Sequence, residues 1–180
     1  MCNVRAVLTV RPVVATIAVL LAACSGSSDV SVRGSTVNAS NLSYSFGPTA
    51  PTWRSINIEG NDVAWFDDTT NATVHVSHTC ERTQDTPLTA LVGHLLLGFT
   101  QREFALEETI PFDGREARHA VVNARLDGVP RTLDLYVMKK DGCVYDLGLA
   151  VAPDRYEAAR PSFDAFARGF HTGRSPLASP

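Results

Sequence analysis

From Gly114 to Val151 apolar and polar residues alternate with a period of two, the spacing that sends successive side chains to opposite faces of a sheet. Ala120, Val122, Ala124 and Leu126 fall on one face, and His119, Val121, Asn123 and Arg125 on the other. Leu133, Leu135 and Val137 continue against Asp134, Tyr136 and Met138, and Cys143, Tyr145, Leu147, Leu149 and Val151 make a third run. Asp127-Gly128 and Asp141-Gly142 separate the runs. Glycine accepts the positive φ of a tight hairpin, so the pattern predicts three antiparallel strands in a meander.

Upstream, Leu42, Tyr44 and Phe46 alternate with serines, and a turn at Gly47-Pro48-Thr49-Ala50-Pro51 precedes Trp53, Ile56 and Ile58. These read as two short strands, and Val63–Phe66 and 72–80 add two more. Thr86 and Pro87 provide a helix start. Leu88, Leu91, Val92, Leu95, Leu96 and Phe99 then recur at helical spacing, leaving His94 and Leu97 off the stripe, so a helix is predicted to about Phe99. After Pro153 a short helical stretch runs to Arg160, and Pro161 restarts a helix whose Phe163, Phe166, Ala167 and Phe170 face the sheet. The expected fold class is α+β, a single antiparallel sheet with a central amphipathic helix and a C-terminal helix packed on it.

The order of these elements resembles the PsbP/Mog1/DcrB-like family. Trp53, Gly114, Gly128, Gly142-Cys143-Val144-Tyr145 and Ser162-Phe163 carry the resemblance, which spans about residues 42–170. That group includes photosystem assembly factors, a nuclear-transport regulator and lipoproteins, so it implies a fold and no single activity.

The first residues follow a different pattern. Arg5 and Arg11 flank the apolar run Val13–Leu21, and no acid appears before Asp29. This is the layout of a secretory signal peptide, and a run of about ten residues is far short of the roughly twenty that span a bilayer. Leu21-Ala22-Ala23-Cys24, followed by Ser25-Gly26-Ser27-Ser28, resembles the lipobox of bacterial lipoproteins. The resemblance implies cleavage before Cys24, diacylglycerol on its sulfur and acylation (palmitate or a similar chain) of the new amine. Several chains on one residue anchor a protein to a lipid bilayer essentially permanently. By resemblance to enterobacterial lipoprotein sorting, Ser25 in place of Asp implies the outer membrane over the inner, with the domain facing the periplasm. The expected boundaries are a signal peptide over 1–23, lipidated Cys24 and a flexible tether over 24–41, one α+β domain over 42–170 and a disordered tail over 171–180.

Removing residues 1–23 leaves fourteen basic against nineteen acidic residues, which disfavours a nucleic-acid partner. Of four cysteines, Cys2 goes with the leader and Cys24 with the lipid. Cys80 and Cys143 remain in an oxidising compartment, where a disulfide between them is expected. The competing reading, a metal site on His78, Cys80 and Cys143, matches no zinc spacing and lacks a fourth ligand.

No Gly-x-Ser-x-Gly elbow or phosphate loop occurs in the folded region, and His75 and His78 fall on opposite strand faces. Asp67-Asp68-Thr69-Thr70-Asn71 reads as a polar hairpin loop. Arg115, Glu116 and Arg118 beside His119 read as a charged strand edge, the first place to look for a partner. No cofactor, metal or catalytic residue is expected. The leading function is a non-catalytic envelope lipoprotein that binds a partner protein or assists assembly. A carrier of a lipid or small apolar ligand is the alternative, and an enzyme of unrecognised type the third reading.

Overall fold

A computed structural model describes residues 30–39, 42–80 and 85–174. The signal peptide, Cys24, the residues up to Asp29 and the last six residues lie outside the described residues.

Two sheets form, not the expected one. The larger has seven antiparallel strands in the order β4-β5-β6-β10-β9-β8-β7. Its strands are β4 (Trp53–Ile56), β5 (Val63–Asp67), β6 (Ala72–Thr79), β7 (Phe99–Phe112), β8 (Arg115–Leu126), β9 (Val129–Lys140) and β10 (Cys143–Val151). The smaller has four, in the order β1-β2-β3-β11: β1 (Ser31–Arg33), β2 (Thr36–Asn38), β3 (Leu42–Ser45) and β11 (His171–Arg174). Helix α1 (Leu88–Leu95) covers one face of the large sheet. Helix α2 (Tyr156–Arg168), entered through a 3-10 turn at Pro153–Arg155, covers the other together with the small sheet.

The meander stands where the alternation placed it. Ala120, Val122, Ala124, Leu133, Leu135 and Val137 pack with Val92 of α1 and Leu96, which caps its C-terminus. Tyr136, Met138, Tyr145, Leu147 and Leu149 pack on the other face with Phe163, Phe166, Val37, Tyr44 and Phe46. The middle of the large sheet is therefore buried on both faces, and the molecule has three layers.

Four boundaries differ from the sequence reading. Residues 31–39 are not tether, because β1 and β2 pair as a hairpin, β2 pairs with β3, and Val37 is fully buried against the core. Residues 171–174 are not tail, because they form β11 on the far side of β3. Helix α1 ends at Leu95 rather than Phe99, since Gly98 takes φ +84° and turns the chain into β7. Helix α2 is continuous through Pro161, which costs one backbone hydrogen bond at that turn. What keeps it whole is its buried face of Ala159, Phe163, Phe166 and Ala167.

Candidate functional site

Strand β7 is the last strand of the large sheet and its fourteen residues are almost wholly exposed. Strand β8, read as a charged edge, lies inside the sheet because β7 covers it along its whole length. Arg118 is thereby occupied: its guanidinium holds Glu107 at 2.8 Å and donates to Thr109 Oγ1 at 3.2 Å, both on β7. The true edge carries Phe104 and Leu106, at 43% and 36% exposure, with register shifts at Thr100–Glu103 and Phe104–Leu106.

Beside this edge a cleft of about 500 Å³ opens between β7, β8, β9 and α2. Leu106, Ile110 and Phe112 of β7 give it an apolar wall, and Arg160, Asp164 and Arg168 of α2 form the opposite rim. Its floor is a chain of polar groups. His119 Nδ1 lies 3.2 Å from Glu108 Oε1 and Nε2 lies 2.9 Å from Asp134 Oδ1. The Tyr156 hydroxyl donates to Asp134 Oδ2 at 2.9 Å, and the His119 ring stacks on Tyr136 with centroids 4.1 Å apart.

Burial works against a charge on His119, but the hydrogen bond and charge of Asp134, with those of Glu108 behind them, outweigh it and raise the pKa above 6.5. When protonated, the ring ties three strands and, through Asp134 and Tyr156, a helix. Burial and the same Asp134 carboxylate push the Tyr156 hydroxyl well above the ordinary tyrosine range, so it stays a donor. A raised histidine pKa adds stability that is fully present below the unfolded value and fades as pH rises through the folded one. The ring protons of His119 are expected to titrate above 6.5 in NMR spectra and to move down in Asp134→Asn. A wild-type midpoint at or below 6.5 would refute the clamp.

Cys80 and Cys143 are joined as a disulfide. His78, the third member of the alternative metal set, instead meets Asp62 at 2.5 Å, and Asp62 also accepts from Tyr44 at 2.7 Å. In the polar hairpin loop Asp67 is taken up by Thr69 and Thr70, and Asp68 by Arg54. Among the described residues no group of histidine, cysteine and carboxylate side chains is arranged to hold a metal. On the α1 face of the sheet, burial alone pushes the Asp146 carboxyl up to about 7 and the His75 imidazole down to about 4. The His75 ring fills the space above Gly148, where a Cβ would come within 2.3 Å of it.

The pairing of His119 with Asp134 was within reach of the sequence. A two-residue turn at Asp127-Gly128 sets His119 opposite Tyr136, with Asp134 as its diagonal neighbour. Tyr156, which arrives from a helix, gave no such signal.

No protein-family model matches the chain, and no curated protein does. Solved structures share the fold. The cyanobacterial PsbP protein CyanoP of Synechocystis superimposes with a TM-score of 0.54 at 20% identity, over 74% of this chain and 94% of that one. LpqN of Mycobacterium tuberculosis, described as involved in cell envelope biogenesis, superimposes with a TM-score of 0.52 at 12% identity, over 72% and 83%. The domain is PsbP-like in fold, as the element order implied.

Proposed function

We propose that this chain is a lipid-anchored envelope protein without catalytic chemistry, which recruits a partner protein along the β7 edge and the cleft beside it. The observation that carries the reading is the length and exposure of β7. Proteins normally keep edge strands short or cover them, because unpaired backbone N–H and C=O groups template pairing with another chain. An extended segment of another envelope protein adds to such an edge as a further strand and drops side chains into the neighbouring cleft.

The floor of the cleft fits a binding role better than proton transfer. Both nitrogens of His119 are engaged by carboxylates, so neither is available as a general base. LpqN carries the same fold in an envelope-biogenesis setting, and the lipobox at Leu21–Cys24 supplies the address. Among the described residues no helix is long and apolar enough to cross a membrane. The proposed attachment is Cys24, facing the periplasm and more in keeping with the outer membrane than the inner.

Two measurements test this. Cys24→Ser is expected to move the protein from the membrane fraction to the soluble one, and unchanged membrane retention would overturn the anchor. A photo-crosslinking residue at Phe104 or Leu106 is expected to trap one discrete partner in intact cells. The same residue at Asn61, on the far side of the sheet, should trap none, and equal adducts from both positions would overturn the edge as the docking surface.

A further inference from the structure

We infer that the domain is held with its small-sheet end toward the bilayer and its Leu97, Leu126 and Val129 end turned away from it. This rests on the proposed acylation of Cys24. The expected tether of 24–41 would let the domain tumble freely. The fold instead takes in the chain from Val30 onward: Val30 packs against the core and β1 begins at Ser31. Six residue steps separate Cys24 from Val30. At 3.3–3.6 Å per residue their reach is at most about 22 Å. A compact domain of about 145 residues is about 38 Å across. To lay its opposite pole on the membrane, the entry point would have to stand nearly twice as far off as the tether allows.

The registers show which pole is which. Val32 pairs with Val37, Val37 with Tyr44 and Tyr44 with Thr172, one row across the small sheet. At the end of that row the Thr172 backbone N–H donates to Asp113 Oδ2 at 2.9 Å, and Asp113 sits in the β7–β8 turn. Lys140 and His171 bind the same carboxylate, so the small sheet is fixed to this end of the large one. From there β8 runs twelve residues to Leu126, roughly 36–40 Å of strand. Phe99, Leu126 and Val129 form one cross-strand row at the far end, and Leu97 stands exposed beside it.

The far end is the more apolar of the two and would be the natural choice for a membrane-dipping tip if the tether were long. The short tether reverses that assignment. The bilayer faces Val32 and Arg33, while the apolar row is presented to the periplasm.

Val32 and Val129 are each 47% exposed, which makes them a matched pair of labelling positions. Full-length protein carrying Val32→Cys or Val129→Cys, labelled with a fluorophore, would be extracted with its lipid and reconstituted into phosphatidylcholine vesicles containing a headgroup nitroxide quencher. The label at 32 is expected to be quenched severalfold more than the label at 129. A twenty-residue Gly-Ser spacer inserted after Ser28 should abolish that difference, since a flexible chain of that length reaches well beyond the body. Equal quenching at both positions in the native-length chain, stronger quenching at 129, or a difference that survives the spacer would overturn the orientation. Protein that fails to float with the vesicles would overturn the anchor itself, a separate failure read before any quenching is measured.

Discussion

A chain carrying Cys80→Ser and Cys143→Ser is expected to lose about 4 kcal/mol of folding stability, the chain-entropy value for a loop of 63 residues. That is a large share of the 5–15 kcal/mol that holds a typical domain together. The effect should fall on the unfolded chain. Cys80 directly follows β6 and Cys143 opens β10, and these strands are neighbours with Val144 opposite Thr79. The ladder from Thr79 to Thr73 brings the two sulfurs together without help, so removing the bond leaves the native contacts in place. The variant should keep its circular dichroism spectrum and show a lower urea midpoint. Adding reductant to the wild type should reproduce the shift, and adding it to the variant should do nothing. A difference below about 1 kcal/mol would mean that the bond constrains little in the unfolded state.

The elements that could be read from the sequence are those whose own residues decide their place. The meander was legible because its strands carry apolar side chains of their own at period two toward the α1 face, and β9 and β10 are buried almost continuously. Phe163 and Phe166 declared the buried side of α2 in the same way, and both are fully buried. The elements that could not be read are those whose partners decide for them. Strand β2 is Thr36-Val37-Asn38, with one apolar residue to show, and it is a strand because Val37 pairs with Tyr44. Strand β11 contains His171, Thr172 and Gly173, and it is captured by a carboxylate 59 positions away. There burial works to raise the Asp113 pKa, and Lys140, Thr172 and His171 together bring it down to about 2.

Strand β7 was hidden for the opposite reason. An edge strand exposed along its length has no buried face to enforce alternation, so Gln101-Arg102-Glu103 and Glu107-Glu108-Thr109 look like loop. The candidate site inherits this division. His119 and Asp134 lie on strands whose register follows from a turn, whereas Glu108 lies on the strand that the pattern concealed. The proposed attachment rests on the far N-terminus, where Leu21-Ala22-Ala23-Cys24 resembles a lipobox by its chemistry rather than by its packing.

Phe166→Ala is expected to be as damaging as loss of the disulfide, by the opposite route. Deleting a fully buried phenylalanine costs about 3–5 kcal/mol, from lost transfer energy and from the cavity left behind. Phe166 is the point where three pieces of the fold meet. Its ring packs on Phe46 at 4.8 Å, Trp65 at 5.5 Å and Trp53 at 5.6 Å, so from α2 it touches the residue that follows β3, and β5 and β4. Its carbonyl accepts from the Gly47 N–H at 2.8 Å. The backbone here has little room to close over a cavity, because a Cβ on Gly47 would stand 2.2 Å from the Ala165 carbonyl and one on Gly169 would stand 2.3 Å from the Gly47 Cα. Helix and chain already touch through their backbones, so the void left by the ring stays open and the cost should sit in the upper half of the range. Trp53 and Trp65 are the two tryptophans of the chain, and both border that void. The variant should therefore show red-shifted tryptophan emission in the native state as well as an earlier thermal transition. Phe166→Leu, which refills most of the volume, should recover more than half of the loss. If Phe166→Ala unfolds within about 1 kcal/mol of the wild type, with its emission unmoved, then α2 is not what fastens the small sheet to the large one.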